Sequence, residues 1–424
     1  MIKKLTHTLR NEHARDIYWL YVVHILNYIF PLLLIPYLVR VLEPTGWGTL
    51  AFALSFGNII TWCVEYGFGI SAQREAARFC DDAHKLAELL SDVLAAKLIL
   101  AVLVASIALL VSKWIPLFQD EPRLIQGALF YGITYALNLT WYLRGVRRMR
   151  TAAGLEAIAK LLSTVSVIWL VQEPSDSWKY FVGFGVSHLI VLAGTYAIAI
   201  RGLTPSFPTV AGGVRSLREG NTFFFLHGTG VIFAQGSVFI LGLLARPEIV
   251  GYYAGAEKIA RVFAYMLDPV RNSIFPRIVQ TLQVNELDVR GNVNQAVAAT
   301  TVASMLLGGA MYIFAPALVM LILGNKFAAA VPALKMFSVL PPIIAVSAGL
   351  GHLWAIPMRK EPQFTMIILT AILVNAILAL RLVPEWQQLG MSMAVVTAEL
   401  LVALLLWGLY LKDRPNALRN RESA

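Results

Sequence analysis

The chain has 424 residues, of which 58% are hydrophobic and only 14% charged, and its mean hydropathy is +0.67. Soluble domains carry about one-quarter charged residues, so this composition excludes a soluble globular protein and predicts an all-α integral membrane protein. The formal charge of +10 does not point to nucleic acid, because no basic, aromatic-interleaved soluble module exists to bind it.

A bilayer's hydrocarbon core takes about 20 consecutive apolar residues as a helix. Runs of that kind, bounded by Pro, Gly and charge, predict twelve spans. The first six cover residues 17–39, 48–70, 89–111, 124–143, 152–171 and 180–200. The second six cover 223–245, 250–270, 293–323, 328–356, 364–383 and 389–411. The polar stretch 201–220 predicts an inter-lobe linker, with an N-terminal six-helix lobe over 1–200 and a C-terminal one over 221–424. Pro316, Pro332, Pro341 and Pro342 predict kinks in the ninth and tenth spans.

Basic residues crowd into alternate connections: Arg74, Arg78 and Lys85; Arg144, Arg147, Arg148 and Arg150; Arg201, Arg215 and Arg218; Arg271, Arg277 and Arg290. The positive-inside rule places that side in the cytoplasm. Both termini then lie there, which requires an even number of spans. Residues 1–15 read as a retained cytoplasmic arm rather than a cleaved signal. Cys63 in a span and Cys80 in a connection imply neither a disulfide nor a metal site.

The first span ends at Pro36 and passes through Arg40, Glu43 and Pro44 to Gly46-Trp47-Gly48. The seventh passes through Arg246-Pro247-Glu248 to Gly251-Tyr252-Tyr253. Each is an apolar helix, a Pro turn and then Gly with an aromatic opening the next helix. The offset is close to half the chain, which predicts two pseudo-symmetric six-helix bundles in parallel repeat around a midplane cavity. No Gly-x-x-x-x-Gly-Lys-Ser/Thr loop is present, so ATP hydrolysis by that device is excluded. Gly185-Val186-Ser187-His188 begins like a nucleophile elbow but lacks the closing Gly and lies in a span. No enzyme is expected.

Residues 36–56 (PYLVRVLEPTGWGTLAFALSF) and 65–78 (EYGFGISAQREAAR) resemble the amino-terminal signature of the Wzx-type polysaccharide-unit flippases. These belong to the multidrug/oligosaccharidyl-lipid/polysaccharide (MOP) exporter superfamily. Residues 251–278 (GYYAGAEKIARVFAYMLDPVRNSIFPRI) are similar to that family's second signature, and 397–400 is a weaker echo in the last helix. Glu43 departs from the pattern, where the family more often has Gly. The resemblance implies the MATE-like MOP fold in the bacterial inner membrane. It also implies alternating-access transfer of undecaprenyl-diphosphate-linked oligosaccharide units, as for O-antigen, between the leaflets. It implies no resident cofactor, with a proton or sodium ion as the coupling ion to consider, and membrane lipids, a polymerase and a chain-length regulator as partners. Competing readings are a cation-coupled multidrug exporter of the same superfamily and a membrane glycosyltransferase or polymerase. The latter would need a sizeable external loop.

Intramembrane ionisable groups are candidates because their burial is costly. Helices one, two, seven and eight line the cavity in the superfamily fold. Lys258 and Arg261, three apart in the eighth span, would share a face and contact a diphosphate; alternatively Glu257 and Arg261 pair at i,i+4. His24, Asn27, His227 and Gln235 could hydrogen-bond sugar hydroxyls or join helices. Glu156 and Lys160 predict an i,i+4 pair, with Lys160 and Lys97 further cavity candidates. Trp62, Tyr66, Trp141 and Tyr142 are read as interfacial aromatics or sugar-stacking platforms. Glu257, Glu65, Asp268 and Glu399 are the ion-coupling candidates.

Overall fold

The structure is a computed structural model that describes residues 2–203, 206–282 and 286–413. Within these, the side chains of 2–33, 222–223, 225–227, 279, 281–282 and 286–289 are outside the description. No strand occurs among the described residues. The chain packs as two units, Met1–Val231 and Ile232–Ala424.

In the first unit, α1 (Ile2–Glu65) carries both of the first two predicted spans and is broken at Glu43, with φ 58° and ψ 178°. That backbone region is almost confined to Gly and costs another residue about 1–3 kcal/mol. The departure seen in the sequence therefore sits at the one residue of the turn that strains the backbone. Glu43→Gly removes the strain and adds glycine's own folding entropy cost of about 0.5–1 kcal/mol. A net gain of about 1 kcal/mol is expected, read as a raised Tm of the purified protein. A lowered Tm would mean that the Glu43 side-chain interactions outweigh the strain. Three residues on, the chain runs close to a 3-10 turn (Pro174–Trp178). Ser177 Oγ donates to Gly46 O at 3.0 Å, and a Cβ on Gly46 would lie 2.5 Å from the Pro174 carbonyl oxygen.

The chain leaves α1 through Tyr66 and Gly67, both at positive φ, into the amphipathic α2 (Phe68–Arg78). The third span, α3 (Ala83–Ser112), starts where the Asp82 side chain accepts the Lys85 N–H, a standard N-cap. A short α4 (Pro116–Asp120) leads to α5 (Pro122–Ala136), and here the expected continuous span 124–143 is corrected. The helix stops at Ala136, and α6 (Thr140–Gly145) restarts it after Asn138 Oδ1 accepts the Thr140 N–H at 2.8 Å. The fifth and sixth spans are α7 (Met149–Leu170) and α8 (Lys179–Ala199), packed against each other. Phe68, Leu86, Leu90, Trp141, Tyr142 and Leu143 form the core beneath α2 and α6.

The predicted linker region is largely helical: α9 (Val210–Leu244) begins inside it and runs straight into the seventh span. Its start is clasped to α3. Arg215 donates to Glu88 at 2.6 Å and pairs with Asp92, and Ser91 Oγ donates to Ser206 O at 2.8 Å. Trp62 lies flat on Phe224, with centroids 4.5 Å apart and planes at 6°. Trp62 thus joins α1 to the start of α9 through an aromatic stack.

In the second unit, Pro247 occupies the first turn of α10 (Pro247–Tyr265), where its missing N–H costs nothing. Next come α11 (Asp268–Leu282) and α12 (Glu286–Ile322). The tenth predicted span is broken, as its prolines require. It comprises a 3-10 turn (Asn325–Ala330), α13 (Val331–Phe337), α14 (Leu340–Leu350) and a π-turn (Gly351–Ala355), with a bend of 47°. The last two spans share α15 (Glu361–Lys412), which breaks at Gln387 just after Pro384. Trp354, fully buried, meets Tyr410 edge-on at 5.1 Å, and the Arg290 guanidinium stacks over the Tyr410 ring at 4.6 Å.

Candidate functional site

The break between α5 and α6 opens onto a polar interior space in the first unit. A helix that stops at Ala136 leaves its last carbonyls without intrahelical donors. Lys97, in the middle of α3 and 1% exposed, supplies them: its ammonium donates to Ala136 O at 2.5 Å and to Asn138 O at 3.4 Å. A cation at a helix C-terminus is also favoured by the helix dipole. Around this point lies a cavity of about 360 Å³, walled by residues of α1, α2, α3, α5, α6, α7 and α8.

Two carboxylates and three cations line it, and their commitments differ. Glu65, the last residue of α1, accepts the Gly67 N–H at 2.9 Å and the Gly69 N–H, so it serves the start of α2. Glu156 on α7 pairs with Arg144 on α6. Glu156 thus reaches across to Arg144, and its charge also acts on Lys160 one turn on. Lys97 has two carbonyl partners and no carboxylate within ion-pair distance among the described residues.

The remaining wall is aromatic and hydroxylated. His188 Nδ1 lies 2.9 Å from Phe184 O, so that nitrogen carries the hydrogen, and the ring stacks on Phe184 at 4.2 Å. Trp141 is buried, and its Nε1–H meets no acceptor among the described residues. Thr61 Oγ1 spans Gly57 O at 3.0 Å and Gly132 O at 3.2 Å, tying α1 to α5 at the cavity edge.

The second unit holds a separate charged cluster. Glu257 on α10 is 4% exposed and pairs with Arg261 one turn on, at 2.9 Å; Arg261 also donates to the Tyr265 hydroxyl at 3.1 Å. Glu399 on α15 is buried and close enough for its charge to act on Arg261. Lys258 is exposed, makes no ion pair among the described residues, and lies within reach of the Glu257 and Arg261 charges on the same helix.

The other expected residues separate as follows. Lys97, Lys160 and Glu65 meet in the first cavity. Asp268 pairs with Arg271 and borders a second, smaller cavity of about 300 Å³ with Asn272 and His352. Gln235 is half-buried. His24, Asn27 and His227 lie outside the residues whose side chains are described. Tyr135, Asn138, Thr195 and His188 are wall residues that the sequence analysis does not name as site members. Only Asn138-Leu139-Thr140, a turn-forming Asn ahead of Thr, carries a local signal.

Comparison with known proteins gives this geometry its family. A curated protein of Escherichia coli (strain K12), described as "Putative O-antigen transporter", is 28% identical over 415 residues, covering 92% of this chain and 95% of that one. The solved lipid II flippase MurJ in an inward closed conformation superposes with a TM-score of 0.70 at 12% identity, over 94% of this chain and 88% of that one. The solved MATE multidrug transporter DinF-BH does so at 0.53 and 16% identity, over 94% and 93%. These superpositions establish the MOP fold for an all-helical membrane chain. The family model described as "Polysaccharide biosynthesis protein" matches residues 13–282, and the chain belongs to that family.

Proposed function

We propose that this protein carries undecaprenyl-diphosphate-linked oligosaccharide units, of O-antigen or a related surface polysaccharide, from the inner to the outer leaflet of the cytoplasmic membrane by alternating access. The observation that carries the reading is the end-to-end relationship to the Escherichia coli protein of transporter description, within a polysaccharide biosynthesis family. The physics agrees. A sugar–diphosphate head cannot enter hydrocarbon without losing its hydrogen bonds, and apolar helices that enclose a charged, hydroxyl-lined space offer it replacements.

In this reading both termini face the cytoplasm and a polymerase and chain-length regulator act on the delivered units. A proton or sodium ion would load at Glu257 or Glu399, the two buried carboxylates of the second unit's charged cluster; Glu65 and Asp268 are tied to backbone amides and to Arg271. Multidrug export fits less well, because the lining cations outnumber the carboxylates and would repel a cationic drug. Deleting the gene in its native strain is expected to abolish surface polysaccharide and to accumulate single carrier-linked repeat units, measured by extraction and mass spectrometry. Normal surface polysaccharide with unchanged carrier-linked glycans would overturn the proposal.

A further inference from the structure

We propose that a separate cavity of the first unit, enclosed by α2, α3 and the start of α9, binds the headgroup of one amine-bearing glycerophospholipid of the surrounding bilayer. Such a lipid site goes beyond the transport reading and does not rest on it. The cavity measures about 360 Å³. That is the low end of ligand pockets, suited to one headgroup with its glycerol rather than a whole lipid. Its floor is apolar: Phe68 of α2 and Val93 of α3 are 1% and 2% exposed, and Leu89 completes it. Leu89 and Val93 stand where α3 turns from charged to apolar, so the cavity sits at the depth of a bilayer interface. Along the exposed face of α2, Ile70 gives way to Arg74 and Arg78 at i+4 and i+8. That order suits a helix passing from hydrocarbon into the headgroup layer.

The polar rim selects the headgroup. It carries two guanidiniums and two carboxylates, on different walls. On α2, Arg74 and Arg78 share Glu75 at 3.7 Å and 2.9 Å. On α9, Glu219 is exposed and makes no ion pair among the described residues. Ser216 lines the same wall, 6% exposed, and its hydroxyl has no hydrogen-bond partner among the described residues. Buried polar groups in folded proteins are paired, so this hydroxyl calls for an outside partner. The Arg215 clasp on Glu88 and Asp92 holds the α9 wall in place. A rim that is neutral as a whole but holds both signs fits a zwitterion. An anionic headgroup would meet Glu219 uncompensated, and a cationic one would meet the guanidiniums. A primary ammonium, like that of lysine, donates three hydrogen bonds and can serve both Glu219 and Ser216. Its phosphate accepts charge-assisted bonds from the guanidiniums. A trimethylated ammonium has no N–H to donate, so the site selects phosphatidylethanolamine over phosphatidylcholine.

The test uses the full chain in nanodiscs of mixed phosphatidylethanolamine and phosphatidylcholine. Native mass spectrometry counts the lipids retained on the protein, and the Tm is followed as the phosphatidylethanolamine fraction rises. Wild type is expected to retain one phosphatidylethanolamine in preference to phosphatidylcholine, with a saturable rise in Tm. The preference should fall about fivefold or more in Glu219→Gln, which gives up a charged acceptor, and about threefold in Ser216→Ala, which gives up a neutral one. Glu219 is exposed, so its variant keeps the test decisive if Ser216→Ala does not fold. Soluble glycerophosphoethanolamine added to phosphatidylcholine discs should leave the Tm unchanged; a rise as large as the lipid's would overturn the bilayer as the source. A preference for phosphatidylglycerol, no preference at all, or an equal preference in wild type and both variants would overturn the proposal. Because no arm involves a glycan or a gradient, failure here is distinguishable from failure of the transport reading.

Discussion

Gly132→Leu is expected to yield no monodisperse folded protein, while Gly194→Leu in the same unit folds normally. The difference lies in what a side chain would meet. A Cβ on Gly132 would lie 2.7 Å from the Gly57 carbonyl oxygen and 2.7 Å from Ile60 Cγ2, where α5 crosses α1. One of these atoms is backbone and cannot rotate away, so the two helices must part. Separation also breaks the Thr61 hydroxyl contact with Gly57 O and Gly132 O. Helices in lipid associate through close packing and interhelical hydrogen bonds, the latter worth about 0.6 kcal/mol on average and at most about 1.7. Overpacking adds about 1–3 kcal/mol. A Cβ on Gly194 meets nothing within 4 Å. Fluorescence-detected size-exclusion chromatography and a Tm measurement separate the two variants; a Gly132→Leu protein with wild-type Tm would show that α1 and α5 are not pressed together.

The second large effect is expected at Arg261. Its guanidinium is the one cation paired with Glu257 among the described residues, and Glu399 lies within the reach of its charge. The side chains of Arg261 and Glu257 are 18% and 5% exposed, so solvent screens the pair weakly. Arg261→Ala would leave two carboxylates in one poorly solvated place. Breaking a buried pair on one side costs about 3–5 kcal/mol, whereas replacing both partners with uncharged groups is close to neutral. The single variant should therefore unfold at a markedly lower temperature, and the double variant Glu257→Gln with Arg261→Met should recover most of the loss. An Arg261→Ala protein as stable as wild type would mean that Glu257 finds another partner or is already neutral.

The span pattern is legible because lipid imposes it. Apolar runs of the required length, Pro-Gly turns and the basic bias of alternate connections are written locally. The Glu43 turn is visible as a departure from the family pattern, and its positive φ explains why Gly is the commoner residue there. Helix ends inside the bilayer are harder to read. At Ala136 the local signal is limited to the turn-forming Asn138, and the Lys97 that caps the break lies 39 positions away. The cavity is illegible for the same reason. Glu65, Lys97, Trp141, Glu156 and His188 stand on five different elements, and periodicity within one helix does not tell which neighbour it will face. A local i,i+4 rule also says nothing of tertiary partners, such as the Arg144 that meets Glu156 from another helix. In α10 the same rule succeeds, because Glu257 and Arg261 have no closer alternative.

The most direct test of the account is leaflet-resolved. The purified chain would be reconstituted into vesicles loaded with a fluorescently tagged undecaprenyl-diphosphate oligosaccharide, and its exposure to an impermeant quencher followed with time. The account predicts that the protected inner-leaflet fraction becomes quenchable only in vesicles containing the protein, and more slowly with Lys97→Met. Equal and unchanging protection with and without the protein, under both proton and sodium gradients, would contradict it.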